Sequence, residues 1–226
     1  YEILRCLVGS EMCIRDRIHT LQLEITGAEI SFAAPLSFDA KINKGDVFVS
    51  DMFNLYKYEN MLYVMELSGK EIKGFLEMSY AMWTNQMKSA DDHLLLFKQP
   101  IEEGKRANFE YYSFNFDSAA GINYTVDVTK PRGEKINILS MADGTPFDMD
   151  KRYKVALNSY RGNGGGDLLT IGAGIAKEDL SERIVFATDK DLRYYLMQYI
   201  EQQKSLHPHA MHQWKFCLLY TSPSPR

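Results

Sequence analysis

Cysteine is scarce in this chain, and its placement matters. Of 226 residues only Cys6, Cys13 and Cys217 are cysteines, all near the ends. Residues 18–216 have none. Three thiols so placed form neither a disulfide framework nor a zinc-ligand spacing, and they leave no cysteine nucleophile in the body of the chain. Long apolar runs are absent too: no stretch approaches the roughly 20 residues that span a bilayer. An excess of positive charge is missing, with 26 Lys and Arg against 30 Asp and Glu and a net charge of -4. That balance argues against a nucleic-acid surface, which is normally basic. Residues 18–216 also lack internal repeats, low-complexity tracts and charge runs long enough for disorder.

What is present suits a globular domain: 45% hydrophobic residues, 12% aromatic and 25% charged, on a chain long enough to bury a core. "ISFAAPL" (residues 30–36) reads as a buried strand stopped by Pro35, and "MLYVMELS" (61–68) as a second strand. The latter runs into "SGKEIKGFLEMSYAMW", where Ser68 and Glu71 have capping-box spacing and Ile72, Phe75, Leu76 and Trp83 share a helix face. "NFEYYSFNF" (108–116) and the alternating "INYTVDVT" (122–129) read as strands. So do "KINILSM" and "YKVALNSY", with "ADGTPFD" as a turn between them. "TDKDLRYYLMQYIEQQ" reads as an amphipathic helix capped by Thr188, and "AKEDLSERI" as a weaker helix. Strands and helices do not alternate regularly, which predicts a mixed α+β domain with helices packed against sheets.

Several chemistries lack their residues. Asp91 and His93, and His207 and His209, form short pairs, whereas a dinuclear metal centre needs several more ligands. Both pairs read as solvated surface, so no metal ligand is assigned. Ser159 lacks the Gly-x-Ser-x-Gly elbow, and the glycine-rich stretch lacks the Gly-Lys-Ser/Thr ending of a P-loop. No catalytic residue is assigned. The stronger signal is "LNSYRGNGGGD" (157–167), where glycines crowd behind a tyrosine at the end of a strand. Tyr160, Arg161 and Asn163 open this loop, and Tyr58 and Asn60 precede the 61–68 strand beside Tyr56. Two tyrosines on opposing loops could sandwich a planar heterocycle, since stacking on an aromatic ring needs no hydrogen-bond readout. Asn60 and Asn163 would add edge contacts, and Gly164, Gly165 and Gly166 would let a sugar approach the backbone. The alternative stays open: Tyr58 and Tyr160 as core aromatics with polar tips, and the glycines as a tight left-handed turn.

Four ordered stretches carry a resemblance: "ISFAAPLSFDA", "SDMFNLYKYENMLYVMELSGKEIKGFLEMS", "FNFDSAAGINYTVDVTKP" and "YKVALNSYRGNGGGD". Together they resemble the C-terminal domain of the 5'-nucleotidase family, most of all its bifunctional 2',3'-cyclic-nucleotide 2'-phosphodiesterase/3'-nucleotidase branch. The resemblance implies a four-layer α/β/β/α domain that holds the nucleoside between two rings, placed by position at Tyr58 and Tyr160 with Asn60 beside the first. It implies a separate N-terminal domain with a dinuclear divalent metal centre, absent from this chain, and a location outside the cytoplasm (periplasmic, secreted or cell-surface). The region "AAPLSFDAK" lacks the arginines of many 5'-nucleotidases, and Asp167 follows the glycines one place later than their Gly-Gly-Asp-Gly. A stand-alone nucleoside-binding module without catalysis is the alternative reading. The terminal strings "YEILRCLVGSEMCIRDR" and "CLLYTSPSPR" resemble translated sequencing-adapter read-through. The expected domain is therefore 18–216, with 1–17 and 217–226 non-native and the true protein longer at both ends.

Overall fold

The computed structural model describes residues 10–35, 50, 53, 56–100, 107–203 and 210–218. Helix α1 (Ser10–Thr26) leads into strand β1 (Ile30–Ala33). Strand β2 (Met61–Ser68) runs directly into helix α2 (Gly69–Trp83). Four strands follow: β3 (Ser118–Ala120), β4 (Ile122–Asp127), β5 (Ile136–Met141) and β6 (Arg152–Asn158). A one-turn helix α3 (Ser159–Gly162), strand β7 (Ile184–Asp191), helix α4 (Leu192–Gln203) and strand β8 (Trp214–Cys217) complete the order.

The strands form two sheets, β3-β1-β6-β2-β7 and β5-β4-β8. Strand β2 lies inside the larger sheet, which is why Leu62 and Val64 are buried on one face and Met65 and Leu67 are buried as well. Helix α2 explains the layering. The expected capping box is formed: the Glu71 amide donates to Ser68 Oγ (3.2 Å) and the Ser68 amide to Glu71 Oε2 (2.6 Å). The helix then buries side chains on nearly every side, as expected for a helix enclosed by other elements. Phe75 stacks on Phe32 of the larger sheet with ring centroids 4.0 Å apart. Tyr80 meets Tyr124 and Trp214 of the smaller sheet, and the Tyr80 and Tyr124 hydroxyls bond at 2.9 Å. On the far face of the larger sheet, Ile18 of α1 and Leu192 of α4 pack with Ala33, Leu62 and Ala156. The fold is α+β as expected, but because α2 packs on both sheets the layers run α/β/α/β, with α2 between the sheets, in place of the expected α/β/β/α order.

Three local expectations change. Residues 108–116 form no strand; they carry one bridge, Phe97 to Phe109, and a 3₁₀ turn at Ser113–Asn115. Thr188 lies within β7 and does not cap α4. Its hydroxyl accepts the Leu62 amide at 2.9 Å and donates to the Lys190 carbonyl, while Asp191 accepts the Tyr194 amide at the helix start (2.8 Å). "AKEDLSERI" makes two 3₁₀ turns, at Lys177–Asp179 and Ser181–Arg183. The boundary expected after Arg17 falls inside α1, and that expected before Cys217 falls inside β8.

Candidate functional site

Sheet register brings the two expected tyrosine loops to one place. Strands β2 and β6 run antiparallel with Leu62 opposite Asn158. Residues just before 62 therefore lie beside those just after 158. Ser159 joins them: its hydroxyl accepts the Met61 amide at 3.1 Å. Asn158 turns the chain at once into α3 by accepting the Arg161 amide through its side chain (2.9 Å).

Tyr58 and Tyr160 are 44% and 43% exposed, so neither is a core ring. The two rings share a neighbour, Phe114, whose centroid is 6.3 Å from each. The Phe114 ring lies nearly perpendicular to both, at 74° to Tyr58 and 84° to Tyr160, and stacks on Tyr112 at 5.2 Å. Tyr56 differs from these. It is buried, and burial pushes its hydroxyl up to about 12. Asn60 donates to that hydroxyl at 3.4 Å, and its carbonyl accepts the Leu192 amide. Asn163 is exposed at the end of α3, where its amide donates back to the Ser159 carbonyl (3.0 Å).

The glycines have a nearer reason than the sugar approach first expected. A Cβ on Gly165 would fall 2.5 Å from the Tyr160 ring, and one on Gly166 2.4 Å from Arg161 Nη1. Gly164 and Gly166 also take positive φ, 90° and 73°, where a side chain is strained. The loop is thus bare because the protein's own Tyr160 and Arg161 press against it.

Arg161 organises the site from beneath. Its side chain and that of Asp117 are each 1% exposed and form an ion pair. Nε and Nη2 both donate to Asp117 Oδ2, at 2.9 and 2.5 Å. Nη1 donates to Asn115 Oδ1 (3.0 Å) and the Gly165 carbonyl (2.8 Å), and Nη2 to the Phe114 carbonyl (2.5 Å). All five guanidinium hydrogens are used. The guanidinium carbon also lies 5.2 Å from the Tyr160 ring centre. One buried side chain therefore fixes the glycine loop against the 112–117 turn. Sequence reasoning placed Arg161 only as a loop neighbour and missed Phe114, Tyr112 and Asp117. The available signal was aromatic density in "EYYSFNF", read instead as a strand.

The arrangement offers flat apolar rings with polar tips, suited to a planar ligand. Among the described residues, no group of three or more His, Cys, Asp and Glu could hold a metal ion. His93 contacts Phe97 edge-on, and His207 and His209 lie outside the described residues. No described helix is long and apolar enough to cross a membrane.

Comparison with known proteins adds a family. Residues 7–171 match the model of the 5'-nucleotidase, C-terminal domain. The chain is 31% identical over 191 residues to the trifunctional nucleotide phosphoesterase protein YfkN of Bacillus subtilis, covering 79% of this chain and 12% of that protein. It is 29% identical over 204 residues to the 2',3'-cyclic-nucleotide 2'-phosphodiesterase/3'-nucleotidase of Salmonella typhimurium, covering 83% of this chain and 28% of the relative. The chain thus spans less than a third of these curated relatives. In fold it is similar to a 5'-nucleotidase precursor from Thermus thermophilus, with a TM-score of 0.63 and 20% identity over 90% of this chain and 34% of the other.

Proposed function

Because the chain belongs to the 5'-nucleotidase C-terminal domain family of nucleotide hydrolases, we propose that residues 18–216 form the nucleoside-recognition domain of a two-domain metallophosphoesterase. The single observation that carries this reading is the pair of half-exposed rings, Tyr58 and Tyr160, set at the adjoining ends of β2 and β6 around Phe114. The base of a nucleoside stacks on these rings, Asn60 and Asn163 serve its edges, and the Gly164–Gly166 loop borders the sugar. The substrates are nucleotides, with 2',3'-cyclic nucleotides and 3'-nucleotides favoured over 5'-nucleotides. The Salmonella relative's name and the absence of arginine from residues 33–41 support that preference. Phosphate release belongs to a separate N-terminal domain. That domain would hold a dinuclear divalent metal centre, which would supply Lewis-acid chemistry at the phosphate; among the described residues of this chain no donor set fits such a centre. The parent protein works outside the cytoplasm, periplasmic, secreted or at the cell surface.

The test is a titration of this chain with adenosine by calorimetry or NMR. Wild type binds weakly, because phosphate and metal contacts are missing and ordering costs remain. Tyr58→Ala and Tyr160→Ala each weaken binding about 5- to 150-fold, the loss of one stacking contact. With added Mn²⁺ the chain releases no phosphate from 2',3'-cyclic AMP or 3'-AMP. Binding indifferent to both tyrosines removes the stacking assignment, and metal-dependent turnover by this chain overturns the division of labour.

A further inference from the structure

We propose that Phe114 is a third aromatic wall of the nucleoside site, meeting the edge of the base that Tyr58 and Tyr160 stack. This rests on the reading above and goes beyond it, because the residue comes from a different segment.

Phe114 is the ring that both tyrosines touch, at 6.3 Å from each. A base stacked on either tyrosine adopts that tyrosine's plane. It then stands nearly perpendicular to Phe114, as the tyrosines do at 74° and 84°. Perpendicular rings bring the positive C–H edge of one to the negative face of the other. Tyr112 already covers one face of Phe114, stacked within 7° of parallel, so the base meets the remaining face or the ring's rim.

The position of Phe114 is fixed. Its carbonyl accepts from Arg161 at 2.5 Å, and the same guanidinium holds the Gly165 carbonyl and pairs with buried Asp117. The Asp117 carbonyl in turn accepts the Ser79 hydroxyl of α2 at 2.7 Å. The turn that carries Phe114 is thus tied both to the core helix and to the loop behind Tyr160. A wall on such ties adds contact without paying to order a mobile loop.

The experiment extends the adenosine titration to Phe114→Leu, which keeps an apolar side chain of similar volume and removes the ring. Binding falls about 3- to 10-fold, the scale of one edge-to-face aromatic contact, while the thermal midpoint stays at the wild-type value. Intermolecular NOEs connect the Phe114 ring protons to adenine H2 or H8. Retained wild-type affinity in Phe114→Leu, with binding still lost in the tyrosine variants, overturns the third wall and leaves the stacking site standing. Adenosine binding that none of the three rings affects overturns both. NOEs from Phe114 only to ribose protons also sink the proposal, since the ring would then border the sugar.

Discussion

Gly165 lies under the Tyr160 ring, where an added Cβ would come within 2.5 Å of Cε2 and Cζ. Gly165→Ala therefore displaces the ring, and adenosine affinity falls at least as far as in Phe114→Leu, checked by the same titration. The buried pair below is more exacting. Removing one partner of a buried ion pair leaves the other charged and unsatisfied, at a cost of about 3–5 kcal/mol. Asp117→Ala should show that loss in urea unfolding, because Arg161 keeps its charge with only carbonyl and amide oxygens around it. Tyr56 makes the alkaline limit. Burial raises its hydroxyl from 10.0 to about 12. Above about pH 10 the unfolded chain releases this proton and the folded chain does not, so the unfolded state binds fewer protons and stability falls as pH rises. The contribution is intact below about pH 10 and is lost between about pH 10 and 12. Tyr56→Phe should flatten the decline of thermal midpoint across that window.

Helix α2 works as a shared wall and also as an anchor for β5. Glu77 is buried, and its two oxygens accept the amides of Lys135 (3.0 Å) and Ile136 (2.8 Å), where that strand begins. Lys135 returns the contact at the C-terminal end of the helix, its ammonium donating to the Thr84 and Asn85 carbonyls at 3.0 and 2.8 Å. A cation there complements the exposed carbonyls of a helix C-terminus. Glu77→Ala leaves two buried amides unsatisfied, each costing about 1–3 kcal/mol. The expected result is a loss of about 2–6 kcal/mol by urea titration, with early amide exchange in β5. The 108–116 segment teaches the opposite lesson. Its aromatics suit a strand, yet only Phe109 bridges a neighbour. Phe109 and Phe116 join the core cluster, Tyr112 stays exposed, and Phe114 turns to the site.

At the scale of the whole molecule, the larger sheet is closed on its outer face by α1 and α4 together. Leu21 packs on Leu196, and Arg17 donates to the Tyr199 hydroxyl at 2.6 Å. Asp16 is buried and accepts the Met211 amide at 2.8 Å. Residues 18–216 should fold as a unit. A chain starting at residue 18 nonetheless gives up both bonds and the first turns of α1. It should be about 3–6 kcal/mol less stable than one starting at residue 10, since each of the two hydrogen bonds to a charged group carries about 1.5–3 kcal/mol. Equal melting curves for the two chains would show that Asp16 and Arg17 do not pack as described.

The sequence by itself determined what depends on neighbours along the chain. Capping at Ser68 and Glu71, the 61–68 strand, the alternation of β4 and the turn chemistry of the glycines are set within a few residues by dihedral preference and side-chain spacing. Four quoted stretches also carried the family, and the two tyrosines were visible as loop aromatics. Tertiary structure decided what depends on distant residues. Register between β2 and β6 brought the Tyr58 and Tyr160 segments beside one another, each ring against Phe114. A buried guanidinium at Arg161 reached a segment some 45 positions away because Asp117 waited there. That same ion pair, invisible to any local pattern, explains why Gly166 can bear no side chain and why Phe114 stands between the two rings' loops.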